Sequence, residues 1–161
     1  MTSALLCINR PQTAPTLAAD LSAAGIPVVA TVEDCSKLVQ AVVLHAPDVV
    51  VCDVPLPTSA WFQALQTLEQ TLPCPTIVFT HDTDATHITQ AAECGVHVYV
   101  VHGYGANRLR ALIHLAQARH KKVQQQRQAY DEMATRFEER KSVDRAKGIL
   151  MRAQSLSDDD A

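Results

Sequence analysis

The stretch Pro47-Asp48-Val49-Val50-Val51-Cys52-Asp53-Val54-Pro55-Leu56-Pro57 decides the fold. Its centre is an apolar run with no polar interruption, which ends on an acid and then breaks into prolines. A strand buried on both faces reads this way; a strand with one wet face would alternate. Four more such runs flank it: Ala4–Ile8, Pro27–Val32, Thr76–Phe79 and Val96–Val101. Between them lie segments with helical spacing. Thr13–Ala24 carries Leu17 and Leu21 and stops at Gly25. Asp34–His45 carries Leu38, Val39, Val42 and Val43. Ala60–Leu72 has Ser59 as its expected cap and turns Trp61, Phe62, Leu65, Leu68 and Leu72 inward. Asp84 is expected to cap a helix closed at Cys94 and Gly95. Five βα repeats with right-handed crossovers give an α/β, flavodoxin-like doubly wound sheet, with chemistry at the carboxyl ends of the strands.

The 161 residues suffice for one such domain plus an appendage, and 47% hydrophobic residues exclude a disordered chain. No apolar run is long enough to span a bilayer, and no signal peptide opens the sequence, so a cytoplasmic protein is expected. The five cysteines (Cys7, Cys35, Cys52, Cys74, Cys94) are odd in number and contain no CxxC. Buried free thiols are the reading they support, ahead of disulfides or a zinc site.

A net charge of −3 hides a strong asymmetry. Residues 1–105 carry two basic against nine acidic side chains, a net of −7. Residues 106–154 carry twelve basic against five acidic, a net of +7; three aspartates follow. The acidic part is a poor partner for nucleic acid and the basic part a suitable one. The basic part has no proline and only Gly148, and reads as one long helix, about 70 Å if unbroken. Leu109, Leu112, Ile113 and Ala116 should dock it on the sheet. Further on, Val123, Tyr130 and Phe137 recur every seven residues with Ala134 between them, half of a heptad seam. His120, Arg127 and Lys141 are polar at the other seam positions. A homodimer through this helix is the expectation, with a solvated helix as the alternative.

Residues 47–57 resemble the third strand of a response-regulator receiver, where an Asp ends the strand and a Pro follows four residues later; Asp53 and Pro57 match. Thr80 matches the family's Ser/Thr position, and Tyr99, in Gly95–Val101, its aromatic position. The departures are specific. The family's acidic pair after the first strand holds Mg²⁺; here the sequence is Ile8-Asn9-Arg10-Pro11. The family's lysine after the fifth strand is His102. The resemblance thus leaves at most a weak Mg²⁺ site at Asp53 and no other cofactor. Asp53 reads as a strand-end hydrogen-bond acceptor, paired with Arg10, rather than as a phosphoacceptor supported by Arg10 and His102. His81 and His102 near strand ends would allow a metal or acid/base role. Without HxH or HExxH spacing, exposed loop histidines are the plainer reading, and no metal is expected there. No Gly-rich phosphate loop, GxSxG or Cys/His signature occurs, so no enzyme is expected and no catalytic residue is assigned.

The run from Arg140 to Arg152 contains Ala146-Lys147-Gly148-Ile149-Leu150-Met151 and resembles the opening helix of the RNA-binding ANTAR domain. Leu156–Ala161 resembles the turn into its second helix, with Ser157 or Asp158 as cap. The match breaks off at Ala161, which implies a truncated ANTAR domain, with poor RNA binding by the fragment. The order of parts is 1–105 receiver-like, 106–139 docking and coiled-coil linker, and 140–161 ANTAR. It is similar to the AmiR/NasT family of transcription antiterminators, more so to the NasT branch. The resemblance implies a dimeric, cytoplasmic protein that binds leader RNA hairpins in nitrate/nitrite or other nitrogen assimilation and is gated by a partner sensor protein. Arg140, Arg145, Lys147 and Arg152 would supply phosphate contacts. The alternatives are a phosphorylatable two-component response regulator acting by dimerisation or protein interaction, and a pure adaptor.

Overall fold

Strand β1 (Ala4–Ile8) lies between β2 (Val28–Val32) and β3 (Val49–Asp53), followed outward by β4 (Thr76–Thr80) and β5 (Val98–Val101); all pairs are parallel. The computed structural model describes residues 2–9 and 14–159, with side chains of the last helix as far as Ile149. Its helices are α1 (Ala14–Ala23), α2 (Leu38–His45), α3 (Ser59–Thr71), α4 (Ala85–Glu93) and α5 (Leu109–Asp159). Short 3₁₀ turns, Cys35–Lys37 and Ala106–Arg108, lead into α2 and α5. Strand order β2-β1-β3-β4-β5 puts the reversal of winding between β1 and β3, where a doubly wound sheet opens a crevice at its carboxyl edge.

Alternation along each strand builds two cores from one sheet. Leu5, Cys7, Val50, Cys52 and Val78 point to one face and pack with Leu38 and Val42 of α2 and with Trp61, Phe62, Leu65 and Leu68 of α3. Leu72, expected to face inward with them, is exposed instead, because α3 ends at Thr71 and the backbone at Leu72 (φ −148°, ψ 82°) leaves the helical course. Leu6, Ile8, Val49, Val51, Ile77 and Phe79 point to the other and pack with Leu17 and Leu21 of α1 and with Leu109, Ile113 and Ala116 of α5. The uninterrupted apolar runs are thus explained, since both faces of the sheet are dry. Leu109 and Ala116 are fully buried, as their docking role requires. Two arginines reinforce that docking. Arg110 donates from Nη2 to the carbonyl of Ala24 (2.7 Å), and Arg119 from Nη1 to that of His97 (2.7 Å).

The helix ends follow local chemistry. Asp84 accepts from Thr86 N–H (2.8 Å) and starts α4 as expected. The cap of α3 is Thr58, not Ser59: its Oγ1 accepts from Trp61 N–H (3.2 Å), and Ser59 becomes the first helical residue. Both residues are competent caps, and the extended backbone at Thr58 (φ −109°, ψ 163°) decides between them. Gly95 sits at φ +94°, a backbone conformation that L side chains rarely adopt, which suits glycine to close α4. The five cysteines are free, four buried and Cys35 half-buried.

Two compact units emerge, residues 1–121 and 122–161. The second is helical throughout its described length. The expected turn at Leu156–Asp158 is absent, because α5 continues to Asp159. No proline or glycine follows Gly148, so nothing in the backbone chemistry compels a break there.

Candidate functional site at the carboxyl edge of the sheet

The ends of β1, β3, β4 and β5 bring Asn9, Asp53, Thr80 and His102 to one edge. Register makes this automatic: Ile8 pairs with Asp53, Asp53 with Phe79 and Thr80 with Val101. Asn9 N–H donates to the Asp53 carbonyl (3.0 Å), extending the ladder by one residue. Asp53 is half-buried and Asn9 exposed. Arg10, expected beside Asp53, lies outside the described residues.

Thr80 is buried and its hydroxyl is already committed. Oγ1 donates to the Pro55 carbonyl (3.0 Å) and accepts from Asp82 N–H (3.2 Å). A hydroxyl with one proton cannot also donate to an incoming oxyanion without giving up Pro55. Tyr99 is half-buried, and its hydroxyl donates to the Asp82 carbonyl (3.0 Å), which fixes the ring against the β4–α4 loop. Burial, then the charge of Asp82, raises the Tyr99 phenol above its ordinary value.

The loop is organised by Asp82, whose pairing with His87 the sequence reading did not anticipate. Its carboxylate accepts from Asp84 N–H (2.9 Å) and pairs with His87 Nδ1. The Asp84 N–H is the main reason its carboxyl lies below the usual range, with the bond and charge of His87 adding to it. The signal was present as Asp82 followed by His87, but a spacing of five residues across a helix start has no fixed geometry. A depressed folded value means that Asp82 contributes its stability above the unfolded pKa, about 3.9, and loses it as pH falls through the folded value. The Asp82→Asn variant is therefore expected to be less stable than the parent at pH 7 and to converge with it below about pH 4. Urea denaturation at both pH values measures this, and an unchanged gap at acid pH would count against the assignment.

A second missed contact joins Tyr104 to Asp20, hydroxyl to Oδ2 at 2.6 Å, with the Tyr104 ring against Phe79 at 4.9 Å. Burial and the Asp20 carboxylate push this phenol well up. The histidines are brought together rather than scattered: His81 Nδ1 and His102 Nδ1 lie 3.5 Å apart.

Magnesium binding of the receiver kind needs several anionic oxygens. Asn9 stands where the first carboxylate belongs, and among the described residues no group of three His, Cys, Asp or Glu side chains converges. The donor set does not fit Mg²⁺.

In the second unit Arg140, Arg145 and Lys147 are exposed on α5, while the side chain of Arg152 lies outside the described residues. At 3.6 residues per turn, Val143, Ala146 and Ile149 form a stripe flanked by Arg140 and Lys147 on one side and Arg145 on the other. Val143 and Ile149 are 52% and 66% exposed, an apolar face without cover of its own. Of the expected seam, Val123 is half-buried, Ala134 exposed, and Tyr130 and Phe137 are 73% and 60% exposed. The Lys141 ammonium lies 4.6 Å over the Phe137 ring.

Residues 7–114 match the response regulator receiver domain, and residues 131–161 match the ANTAR domain. The chain belongs to the response regulators. This regulator is 28% identical over 145 residues to the transcriptional regulatory protein PdtaR of Mycobacterium tuberculosis, covering 90% of this chain and 71% of that one. It is 32% identical over 117 residues to the transcriptional regulatory protein KdpE of the same organism, spanning 70% of this chain and 51% of that one. Among solved structures, the signal receiver domain of a modulated diguanylate cyclase from Desulfovibrio desulfuricans G20 superposes with a TM-score of 0.67. It shares 19% identity over 76% of this chain and 98% of that one. The receiver domain of NarL from Mycobacterium tuberculosis gives 0.64 at 18% identity, over 72% and 96%. These structures speak for the fold, and the two matched domains make the protein an ANTAR-type response regulator, RNA-binding by class. No helix among the described residues is long and apolar enough to cross a membrane.

Proposed function

We propose that this regulator acts in the cytoplasm as a transcription antiterminator, binding leader RNA hairpins as a dimer, with its receiver-like domain gated by a partner sensor protein. The observation that carries the reading is the succession of a receiver match over 7–114 and an ANTAR match over 131–161 in one chain. The likeness to the NasT branch supports nitrate/nitrite or other nitrogen assimilation as its setting. The basic side chains Arg140, Arg145, Lys147 and Arg152 hold RNA phosphates, while Val123, Tyr130, Ala134 and Phe137 bury their exposed apolar surface against a second copy. Asp53 serves as a hydrogen-bonding strand end. Asn9 and His102 replace the acid and the lysine, and the Thr80 hydroxyl is spent on Pro55. The direct test is a gel shift of the gene product, read to its stop codon, against a two-hairpin leader RNA at low salt. Absence of binding there would overturn the proposal.

One observation favours a second reading, phosphorylation: Asp53 does end β3 at the receiver position. Incubation with acetyl phosphate and Mg²⁺ is expected to leave the intact mass unchanged. A stoichiometric gain of one phosphoryl group, lost in Asp53→Asn, would establish the two-component reading instead.

A further inference from the structure

We propose that His81 and His102 form a two-histidine chelate for a borderline transition-metal dication, zinc or nickel, at the carboxyl edge of the sheet. The starting point is the 3.5 Å between their Nδ1 atoms. A nitrogen–nitrogen hydrogen bond is shorter than this, and at such a distance it contributes little. Two imidazole nitrogens bound to one tetrahedral ion at about 2.0–2.1 Å stand about 3.4 Å apart. The separation of the two Nδ1 atoms thus matches that of two ligands on one ion. Its rings are inclined by 35° with centroids 5.7 Å apart, so the two nitrogens approach without the rings stacking.

The backbone holds this arrangement in place. His81 N–H donates to the Pro55 carbonyl (3.2 Å) and His102 N–H to the Thr80 carbonyl (3.0 Å), so each histidine continues the ladder beyond its strand. His102 also stands at φ +63°, a left-handed conformation that residues other than glycine adopt only occasionally. Gly103 follows at φ +88°, so a glycine was the simple choice for this turn, yet an imidazole occupies it. Both side chains are exposed, which gives an ion a direct path.

Imidazole suits zinc, nickel and copper and is a poor ligand for magnesium, so this is a different site from the family's carboxylate one. Among the described residues no third His, Cys, Asp or Glu completes a cluster, which leaves the remaining positions to water. The bound ion would put positive charge where the resemblance places a lysine, at the edge that Asp53 shares. A metal could then bias the domain without any phosphoryl group.

The test is calorimetry with ZnCl₂ on the untagged protein, paired with NiCl₂ titration followed by imidazole proton NMR. One-site saturation is expected, with paramagnetic broadening confined to His81 and His102. Loss of outer-shell partners alone weakens metal sites on the order of 10–100-fold, so His81→Asn and His102→Asn should each weaken binding at least tenfold. Asparagine tolerates the left-handed backbone at 102, and both positions are exposed, so the variants keep the fold; circular dichroism verifies it. His45→Asn, at the exposed end of α2, should leave the affinity unchanged. Affinity unaltered in both Asn variants, absence of saturable binding, or broadening spread evenly over His45, His114 and the others would each overturn the site. The readout involves no RNA, so its outcome is independent of antitermination.

Discussion

The Trp61→Ala variant is expected to lose about 3–5 kcal/mol of folding stability, a large share of the roughly 5–15 kcal/mol that keeps a domain folded. Trp61 is 2% exposed and stands edge-on to Phe62 with centroids 5.1 Å apart, in the core between α3 and the sheet. Removing it deletes the largest buried side chain of that face and opens a cavity that the close-packed sheet and α3 keep from collapsing fully. The indole carries a second term of opposite sign. Its N–H meets no acceptor in good geometry; the Cys52 thiol, a weak acceptor, is close enough to feel it without satisfying it. A buried donor left unmade costs about 1–3 kcal/mol. Trp61→Phe deletes that donor along with a modest volume, so it should cost far less than alanine, within about 1 kcal/mol of the parent. Urea unfolding of the three proteins decides the matter. If phenylalanine and alanine are equally damaging, the indole N–H is satisfied in solution and this account of the core is wrong.

The sequence revealed most where burial left a one-dimensional trace. Val49–Cys52 could be placed in a central parallel strand because both of its faces are dry, and hydrophobicity alone records that. Leu109, Ile113 and Ala116 were legible for the same reason, at helical period. The misses came where two local solutions were equally good or where contact depends on distant chain. Thr58 and Ser59 both cap helices well, and only the entry angle of the chain chose between them. The Asp82–His87 pair needed the β4–α4 loop to turn back on itself. Tyr104 and Asp20 are 84 residues apart, and nothing local in either marks the other. His81 and His102 were singled out individually, yet read as unrelated loop residues. Their meeting follows from the register of β4 with β5, which pairs Thr80 with Val101 and so carries the next residue of each strand to the same place. The long helix shows the limit of local propensity. Its continuation through Leu156–Asp158 follows from the absence of any breaker, whereas the turn expected there rested on the resemblance.

Salt dependence is the measurement most sensitive to the proposed RNA complex. If Arg140, Arg145, Lys147 and Arg152 each neutralise one phosphate, four counterions are displaced per chain. The logarithm of affinity should then fall against the logarithm of salt with a slope of about −3, or about −6 for a dimer holding two RNA segments. Between 50 and 200 mM salt the dimer would lose on the order of 10⁴-fold in affinity, and a monomer on the order of 10²-fold. Replacing all four side chains by alanine should flatten the slope and weaken binding at 50 mM by on the order of 10²-fold or more. The seam enters the same measurement. Tyr130→Ala with Phe137→Ala removes two large exposed apolar side chains from the face expected to pair, and leaves every basic residue in place. If pairing brings two basic segments to one RNA, this variant should sediment as a monomer and show about half the parent's slope. A variant that stays dimeric would refute the seam while leaving the charges in question. A monomeric variant with the parent's full slope would show that one chain makes all the contacts, so that dimerisation serves some end other than gripping RNA. The four-alanine variant, dimeric but with its slope flattened, separates the two roles, because the seam lies at residues 123–137 and the charges at 140–152 of the same helix.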